Sequence, residues 1–221
     1  MNFKFYVFFA LLLTSFHAVA KDQQDTEEEG HIPEFGPGSL YEERDIDLNI
    51  ALQQIGLAYA VSWIVYPITQ PKIIEGKLGS WEEYGDNFGT LVYDQDEPFW
   101  NWFVHPISGS QLYLFYRARG HNRSGSMAMA FISSTLFEFT VEIYSEPASV
   151  QDLYQTPVIG SALGYGLEIV STRLLHSDSQ VARFFGRVLN PWTLVSHSKR
   201  YQITPAFFDN SGLGLSLRAE F

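Results

Sequence analysis

Residues 106–144 read PISGSQLYLFYRARGHNRSGSMAMAFISSTLFEFTVEIY, and this stretch decides the fold. Pro106 suits the first turn of a helix, where the N–H that proline lacks has no partner to lose. The apolar run behind it ends at Arg117-Ala118-Arg119-Gly120, and basic residues followed by glycine are typical of a helix C-terminus. The sequence therefore predicts two helices, over residues 106–119 and 126–144, joined by a short loop.

Two further helices are predicted on either side of this pair. Residues 48–71 contain no Asp, Glu, Lys or Arg, which is typical of a helix buried on most sides, in a bundle core or in lipid, and predicts a helix over 48–69. Ser149 followed three residues later by Asp152 has the pattern of a capping box and predicts a helix over 150–176. Pro157 lies inside that helix and cannot donate a backbone hydrogen bond, so we expect a bend there.

Small residues recur at a spacing of four along two of these helices. One row consists of Ser126, Ala130 and Ser134, and a second consists of Gly160 and Gly164. Residues four apart share a helix face, and small side chains there allow two helix backbones to approach closely.

The C-terminus has a different pattern. A turn composition at residues 209–212 separates residues 201–208 from 213–221, and apolar residues alternate along the last segment, which predicts a β hairpin over 199–221. The predicted fold class is therefore mainly α: a compact bundle of about four to five apolar helices over 48–198, followed by the hairpin. The alternation up to Phe221 also resembles the last strand of an outer-membrane protein, so a small outer-membrane β-barrel is the alternative; it would need at least about eight strands.

The N-terminal residues predict export. Lys4, an apolar core and Ala18-Val19-Ala20 form the pattern of a cleavable signal peptide over residues 1–20. Residues 21–47 hold ten acids and two bases, which indicates an acidic disordered leader. We expect a periplasmic or outer-membrane location. The net charge of −11 argues against nucleic acid as a partner.

One helix face changes from small to acidic along its length. Glu138, Glu142 and Glu146 follow one another at a spacing of four, so they lie on the same face of the helix over 126–144. Phe137, Phe139, Val141 and Ile143 lie between them, so the acidic residues are not on an obviously solvated surface.

The position of the loop at Asn122 predicts that a histidine at the start of the preceding helix lies beside these acids. His105 precedes Asn122 by 17 residues and Phe139 follows it by 17, so in an antiparallel pair His105 lies within about one turn of Glu138. The next turn, near Pro147, leads the chain back. The sequence thus predicts that four polar residues from three segments converge: His105, Glu138, Glu142 and Asp152.

Three interpretations of this cluster remain open. It is a buried polar network that fixes helix packing, or a site for a divalent metal ion, or a general acid/base pair of a hydrolase. The sequence has no nucleophile elbow, phosphate-binding loop or zinc signature, and it identifies no cofactor.

An ordered set of residues covers roughly positions 94–191. The set comprises Asn101, His105-Pro106, Gly109, Arg117, Gly120, Glu138-Phe139, Glu142, Glu146-Pro147, Ser149, Asp152, Thr156-Pro157, Gly160, Gly164, Arg183 and Asn190-Pro191. It resembles a family of uncharacterised exported bacterial envelope proteins that share a domain of unknown function. Tyr165 departs from the pattern, because such proteins often carry Glu there. The resemblance implies an envelope location and no particular activity.

These observations lead to two functional hypotheses. The first is a membrane-associated envelope protein with a structural or lipid-contacting role, whose partner is membrane lipid or another envelope component. The alternative is an envelope hydrolase or metal-dependent enzyme that acts on lipid or cell-wall material through His105, Glu138, Glu142 and Asp152. The sequence leaves the oligomeric state open.

Overall fold

The computed structural model describes residues 40–93, 97–196, 201–208 and 212–219, and these residues are mainly helical. The helices are α1 (Leu48–Thr69), α2 (Pro71–Ile74), α3 (Trp81–Asn87), α4 (His105–Ala118), α5 (Arg123–Thr140), α6 (Asp152–Tyr154), α7 (Gly160–Leu175), α8 (Gln180–Leu189) and α9 (Trp192–Ser196). π-helical segments Trp100–Val104 and Gln155–Ile159 lead into α4 and α7, and a 3-10 turn, Glu142–Tyr144, follows α5. The strands are β1 (Leu91–Val92), β2 (Ala148–Ser149), β3 (Tyr201–Phe208) and β4 (Gly212–Ala219).

The predicted helical fold is confirmed, and most of the residues that a barrel would need as strands are helical. Helix α1 has the predicted bounds, and α4 lies within a residue of them. Helix α5 begins three residues earlier than predicted, because the Asn122 side chain caps it by accepting a hydrogen bond from the Gly125 N–H. It also ends earlier than predicted, and the 3-10 turn completes the segment.

The helix predicted over 150–176 is interrupted at Pro157. The Oγ of Ser149 accepts a hydrogen bond of 3.3 Å from the Asp152 N–H, but the helix begins later than predicted, at Asp152, with Gln151 at the N-cap position. Around Pro157 the chain forms the π-helical segment Gln155–Ile159. A residue without an N–H cannot close the regular ladder, and a π turn is one way for a helix to accommodate this loss.

The sequence analysis missed several short elements. Helices α3 and α8 are capped by Ser80 and Ser179, whose side chains accept hydrogen bonds from the Glu83 and Ala182 N–H groups. Strands β1 and β2 form a parallel pair only two residues long, in which Val92 lies opposite Ser149. Strands of this length are too short to produce an alternating pattern.

Helices α4 and α7 pack with almost no space between their backbones. A Cβ atom on Gly109 would lie 1.7 Å from the carbonyl oxygen of Thr156, and one on Gly160 would lie 2.6 Å from the Cα of Gly109. Gly164 is similarly close to the ring of Tyr113. The predicted glycine row is therefore the contact between these two helices, with Gly109 as its partner.

The interior of the described bundle is rich in polar groups, whereas its surface is rich in apolar ones. Arg117, Glu168 and Asn190 are almost completely buried. By contrast, Leu48 and Trp81 are more than 70% exposed, and Phe184 is 62% exposed. A protein that folds in water normally has the opposite arrangement, because burial of apolar side chains drives its folding.

Two predicted boundaries fall near the limits of the described chain. The signal peptide over 1–20 and most of the leader over 21–47 lie outside the described residues. At the end of the leader, Tyr41 is buried and donates a 2.6 Å hydrogen bond to Asn190, so the structure places this part against the helices. The hairpin is present, with β3 and β4 antiparallel and Ile203 opposite Leu217.

Candidate functional site

The carboxylates of Glu138, Glu142 and Asp152 come together where α5 ends and α6 begins. Glu138 lies in the last turn of α5, Glu142 opens the 3-10 turn, and Asp152 is the first residue of α6. One oxygen from each lies within 4.8 Å of one from each of the others. The three residues are only 3%, 7% and 4% exposed, so this carboxylate cluster is enclosed by protein.

Ser149 contacts two members of the cluster, the carboxylate of Glu138 and the backbone of Asp152. Its backbone N–H donates a 2.7 Å hydrogen bond to Oε1 of Glu138, and its Oγ accepts one from the N–H of Asp152. The pairing of β2 with β1 holds Ser149 opposite Val92. The short parallel pair therefore fixes the position of Glu138 relative to Asp152.

His105 reaches the carboxylate cluster from the first turn of α4. Its Nε2 lies 3.4 Å from Oδ1 of Asp152, and its Nδ1 lies 3.1 Å from the hydroxyl oxygen of Thr156. From the sequence, His105 is predicted to be level with Glu138; the contact that holds its ring in the cluster is with Asp152. That prediction used only the loop at Asn122, whereas Asp152 and Thr156 belong to the segment after Pro147, whose helix begins at Asp152 and widens at Gln155–Ile159.

The four residues selected from the sequence are thus brought together by the fold. The expectation that Glu138 is more buried than Glu146 is also confirmed, because Glu146 is only partly buried. Glu146 instead accepts a 3.3 Å hydrogen bond from the hydroxyl of Tyr66 on α1.

Glu142 brings a buried, unpaired polar atom into the cluster. Its Oε2 is buried and has no hydrogen-bond partner among the described residues. Such an atom costs about 1–3 kcal/mol, because it gives up its contacts with water without replacement.

A second buried ionic centre joins α4 to α7. Arg117 donates two 3.0 Å hydrogen bonds to the Glu168 carboxylate, from Nε to Oε2 and from Nη2 to Oε1. Tyr113 donates a third, and Nη1 of Arg117 also contacts Glu43. Every oxygen of Glu168 therefore has a donor, so this centre stabilises packing and leaves no position for a ligand on that carboxylate.

The sequence analysis did not select Glu168, although a signal for it existed. It is the single charged residue between Asp152 and Arg173. A lone charge in a long apolar run is expensive to bury without a partner, so its presence predicts a paired, interior position.

Both ionic centres lie in one stretch of the chain. Residues 90–192 match a domain of unknown function, DUF3943. The DUF3943 domain extends from just before β1 to the first residue of α9 and includes His105, Glu138, Glu142 and Asp152. No curated protein and no solved structure matches the chain.

The residues that match DUF3943 coincide with one part of the helical bundle. The match contains the whole α4–α7 contact and the carboxylate cluster, but it leaves out α1, α2 and α3. The matched part of the chain is therefore the part that carries the buried charges.

Proposed function

We propose that this chain is a helical membrane protein of the bacterial envelope, in which a polar interior is surrounded by lipid-facing helices. The observation that carries the proposal is the distribution of side chains. Charged and polar groups are buried in the bundle, and large apolar groups cover its surface. In lipid this arrangement has no cost, since the surroundings of the helices are as apolar as their side chains.

Three helical segments have the length and composition of membrane spans: Leu48–Thr69, Arg123–Tyr144 and Asp152–Leu175. Leu48–Thr69 is the clearest, because only 17% of its most apolar window is buried by the rest of the protein. A helix that is apolar on all sides needs either a protein core or lipid around it.

The contacts between helices are also those expected in a membrane. Gly109 and Gly160 allow the backbones of α4 and α7 to touch, and small residues serve this purpose in membrane helices. Tyr116 and Ser133 are hydrogen-bonded between α4 and α5. Charged residues such as Arg117 and Glu168 face the bundle interior and pair with each other, which is the usual arrangement of ionisable groups at membrane depth.

The positions of aromatic and basic residues also support the proposal. The rings of Trp63, Trp81 and Tyr144 form a contiguous group, with centroids 6.4 and 5.2 Å apart. Helix α8 exposes Phe184 and Phe185 and carries Arg183 and Arg187. Tryptophan and tyrosine favour the boundary between lipid and water, and a helix with an apolar face and arginines is suited to lie along it.

Extraction from membranes tests this proposal. The tagged full-length protein is expressed in a bacterium, and its membranes are washed with high salt and then with alkaline carbonate. We expect the protein to stay in the pellet and to dissolve only in detergent. Release by carbonate into the soluble fraction, as a folded monodisperse protein, would show that the helices are packed in water and that the proposal is wrong.

An enzymatic role at the same cluster is the second candidate. His105 and Asp152 lie within 3.4 Å in a buried site, which is the kind of pair that transfers protons in hydrolases. Hydrolysis of lipid or cell-wall substrates by the purified protein, with loss of activity in Glu138→Gln, would favour this candidate over a structural role.

A further inference from the structure

We propose that Glu138, Glu142, Asp152 and His105 form a binding site for one divalent metal ion. The proposal goes beyond the membrane location and does not depend on it. Three carboxylates supply oxygens within 4.8 Å of one another. Two oxygens on opposite sides of an ion, each bound at about 2.0–2.6 Å, are about 4–5 Å apart, so the observed spacing is compatible with an ion between them.

The unsatisfied atom of Glu142 is an independent observation. Its Oε2 is buried without a hydrogen-bond partner among the described residues. The carboxylates of Glu138 and Asp152 lie beside it, and an ionised carboxylate offers only oxygen acceptors. A cation is the species that would satisfy this oxygen and also offset the repulsion among the three acids.

The surrounding hydrogen bonds orient these side chains as in a metal site. The Ser149 N–H fixes Glu138, and Thr156 lies at hydrogen-bond distance from Nδ1 of His105. When Nδ1 carries the proton and donates it to Thr156, Nε2 presents its lone pair toward Asp152. Outer hydrogen bonds of this type set the tautomer and direction of metal-binding histidines and carboxylates.

The donor set indicates the class of ion. Carboxylates suit Mg²⁺, Ca²⁺ and Mn²⁺, whereas imidazole suits Zn²⁺ and iron. A site with three carboxylates and one imidazole lies between these preferences. We therefore expect Mn²⁺ and Zn²⁺ to bind.

The test uses the full-length protein, purified in detergent and stripped with EDTA. Titration with Mn²⁺, followed by electron paramagnetic resonance, should show about one bound ion with a nitrogen coupling from His105. Glu142→Gln should weaken Mn²⁺ binding at least about tenfold, because it removes one of three anionic ligands. Glu146→Gln is the matched control, since Glu146 lies one turn further on and contacts Tyr66 instead; it should bind as the wild type does.

Thermal unfolding gives a second readout that separates a metal site from a packing network. In EDTA, Glu142→Gln should be at least as stable as the wild type, because it removes one of three crowded acids. Mn²⁺ or Zn²⁺ should then raise the Tm of the wild type and of Glu146→Gln only. The proposal is overturned if the folded wild type binds neither ion, or if Glu142→Gln binds both as tightly. It is also overturned if the nitrogen coupling persists in His105→Gln, a measurement that remains available if Glu142→Gln fails to fold.

Discussion

Arg117 and Glu168 neutralise each other inside the bundle, although 51 residues separate them along the chain. Both guanidinium–carboxylate hydrogen bonds are 3.0 Å long, and the phenol of Tyr113 adds a third donor. The presence of such a buried pair adds little net stability to the fold. Removing one partner is far more destabilising, because the remaining charge is then buried alone.

Replacing one partner of this pair should therefore be severe. We expect Glu168→Ala to lower the free energy of unfolding by about 3–5 kcal/mol, because Arg117 would lose its buried counter-ion. Glu43 also contacts Arg117, but half of its side chain is exposed, so Glu43→Ala should cost about 0–1 kcal/mol. Denaturation of both variants in the same detergent checks the difference, and equal losses would contradict it.

His121, in the loop between α4 and α5, should make stability depend on pH. Its Nε2 is 2.8 Å from Oε1 of Gln54, and burial lowers the pKa of His121 below its usual value. The unfolded chain takes up a proton near pH 6.5, whereas the folded chain takes it up only at a lower pH. Stability should therefore fall as the pH decreases through about 6.5. Unfolding titrations between pH 8 and 5 should show a smaller slope for His121→Gln, and an unchanged slope would exclude His121 as the cause.

At this scale the sequence predicts local geometry better than long-range pairing. His105, Glu138, Glu142 and Asp152 could be brought together on paper, because the loop at Asn122 and the turn near Pro147 set which helix positions are level. The partner of Glu168 could not be identified in this way. It depends on how α4 crosses α7, and that crossing is set by the Gly109–Gly160 contact.

Helices α4 and α7 are the elements on which the rest of the bundle is built. Their glycines remove the side chains that would otherwise separate them, so the distance between the two helices is set by the backbones themselves. The interior has little freedom to adjust around such a contact.

Adding one methyl group at this contact should weaken the bundle. We expect Gly160→Ala to lower the free energy of unfolding by about 1–3 kcal/mol, because its Cβ would lie 2.6 Å from the Cα of Gly109. Gly166 is the matched control in the same helix, since no atom lies within 4 Å of an added Cβ there. Gly166→Ala should be neutral or stabilise α7 by up to about 1 kcal/mol. Thermal unfolding of both variants decides this, and similar effects would show that the helices are less closely packed.

The long helices were predictable, and the irregular segments were not. Helix ends are marked by the side chains of Asn122 and Ser149 and by the missing side chain of Gly120. These are local properties of the sequence. Helix α8 was missed although Val181, Phe184, Phe185 and Val188 have the i, i+3, i+4, i+7 spacing of an amphipathic helix. The π-helical form around Pro157 was also missed, since a proline in a helix predicts a distortion without specifying which one.

At the scale of the whole molecule, the distribution of side chains is what supports the proposed membrane location. Twenty-four large apolar residues are exposed on the part of the chain whose side chains are described. Single exposed apolar residues are common in soluble proteins, but continuous apolar helices on the surface are not.

A charged residue on the outer face of α5 tests this distinction directly. Ile132 is near the middle of that helix and is 47% exposed. In water Ile132→Asp should change stability by no more than about 0.5 kcal/mol, whereas in a bilayer it should oppose insertion by roughly 2.5–3.5 kcal/mol. Leu48→Asp, at the first residue of α1, is the control, because helix ends lie near the lipid boundary. We expect carbonate to extract much more of the Ile132 variant than of the Leu48 variant; equal extraction would contradict the membrane location.

The pairing of Arg117 with Glu168 also has a consequence for biogenesis. A ribosome completes α4 well before it synthesises Glu168, 51 residues further on. An arginine that enters the hydrocarbon layer alone opposes insertion by about 2.5–3.5 kcal/mol. In the proposed setting, Arg117 therefore stays outside the hydrocarbon layer until α7 has emerged, and the two charges are then buried together as a neutral pair.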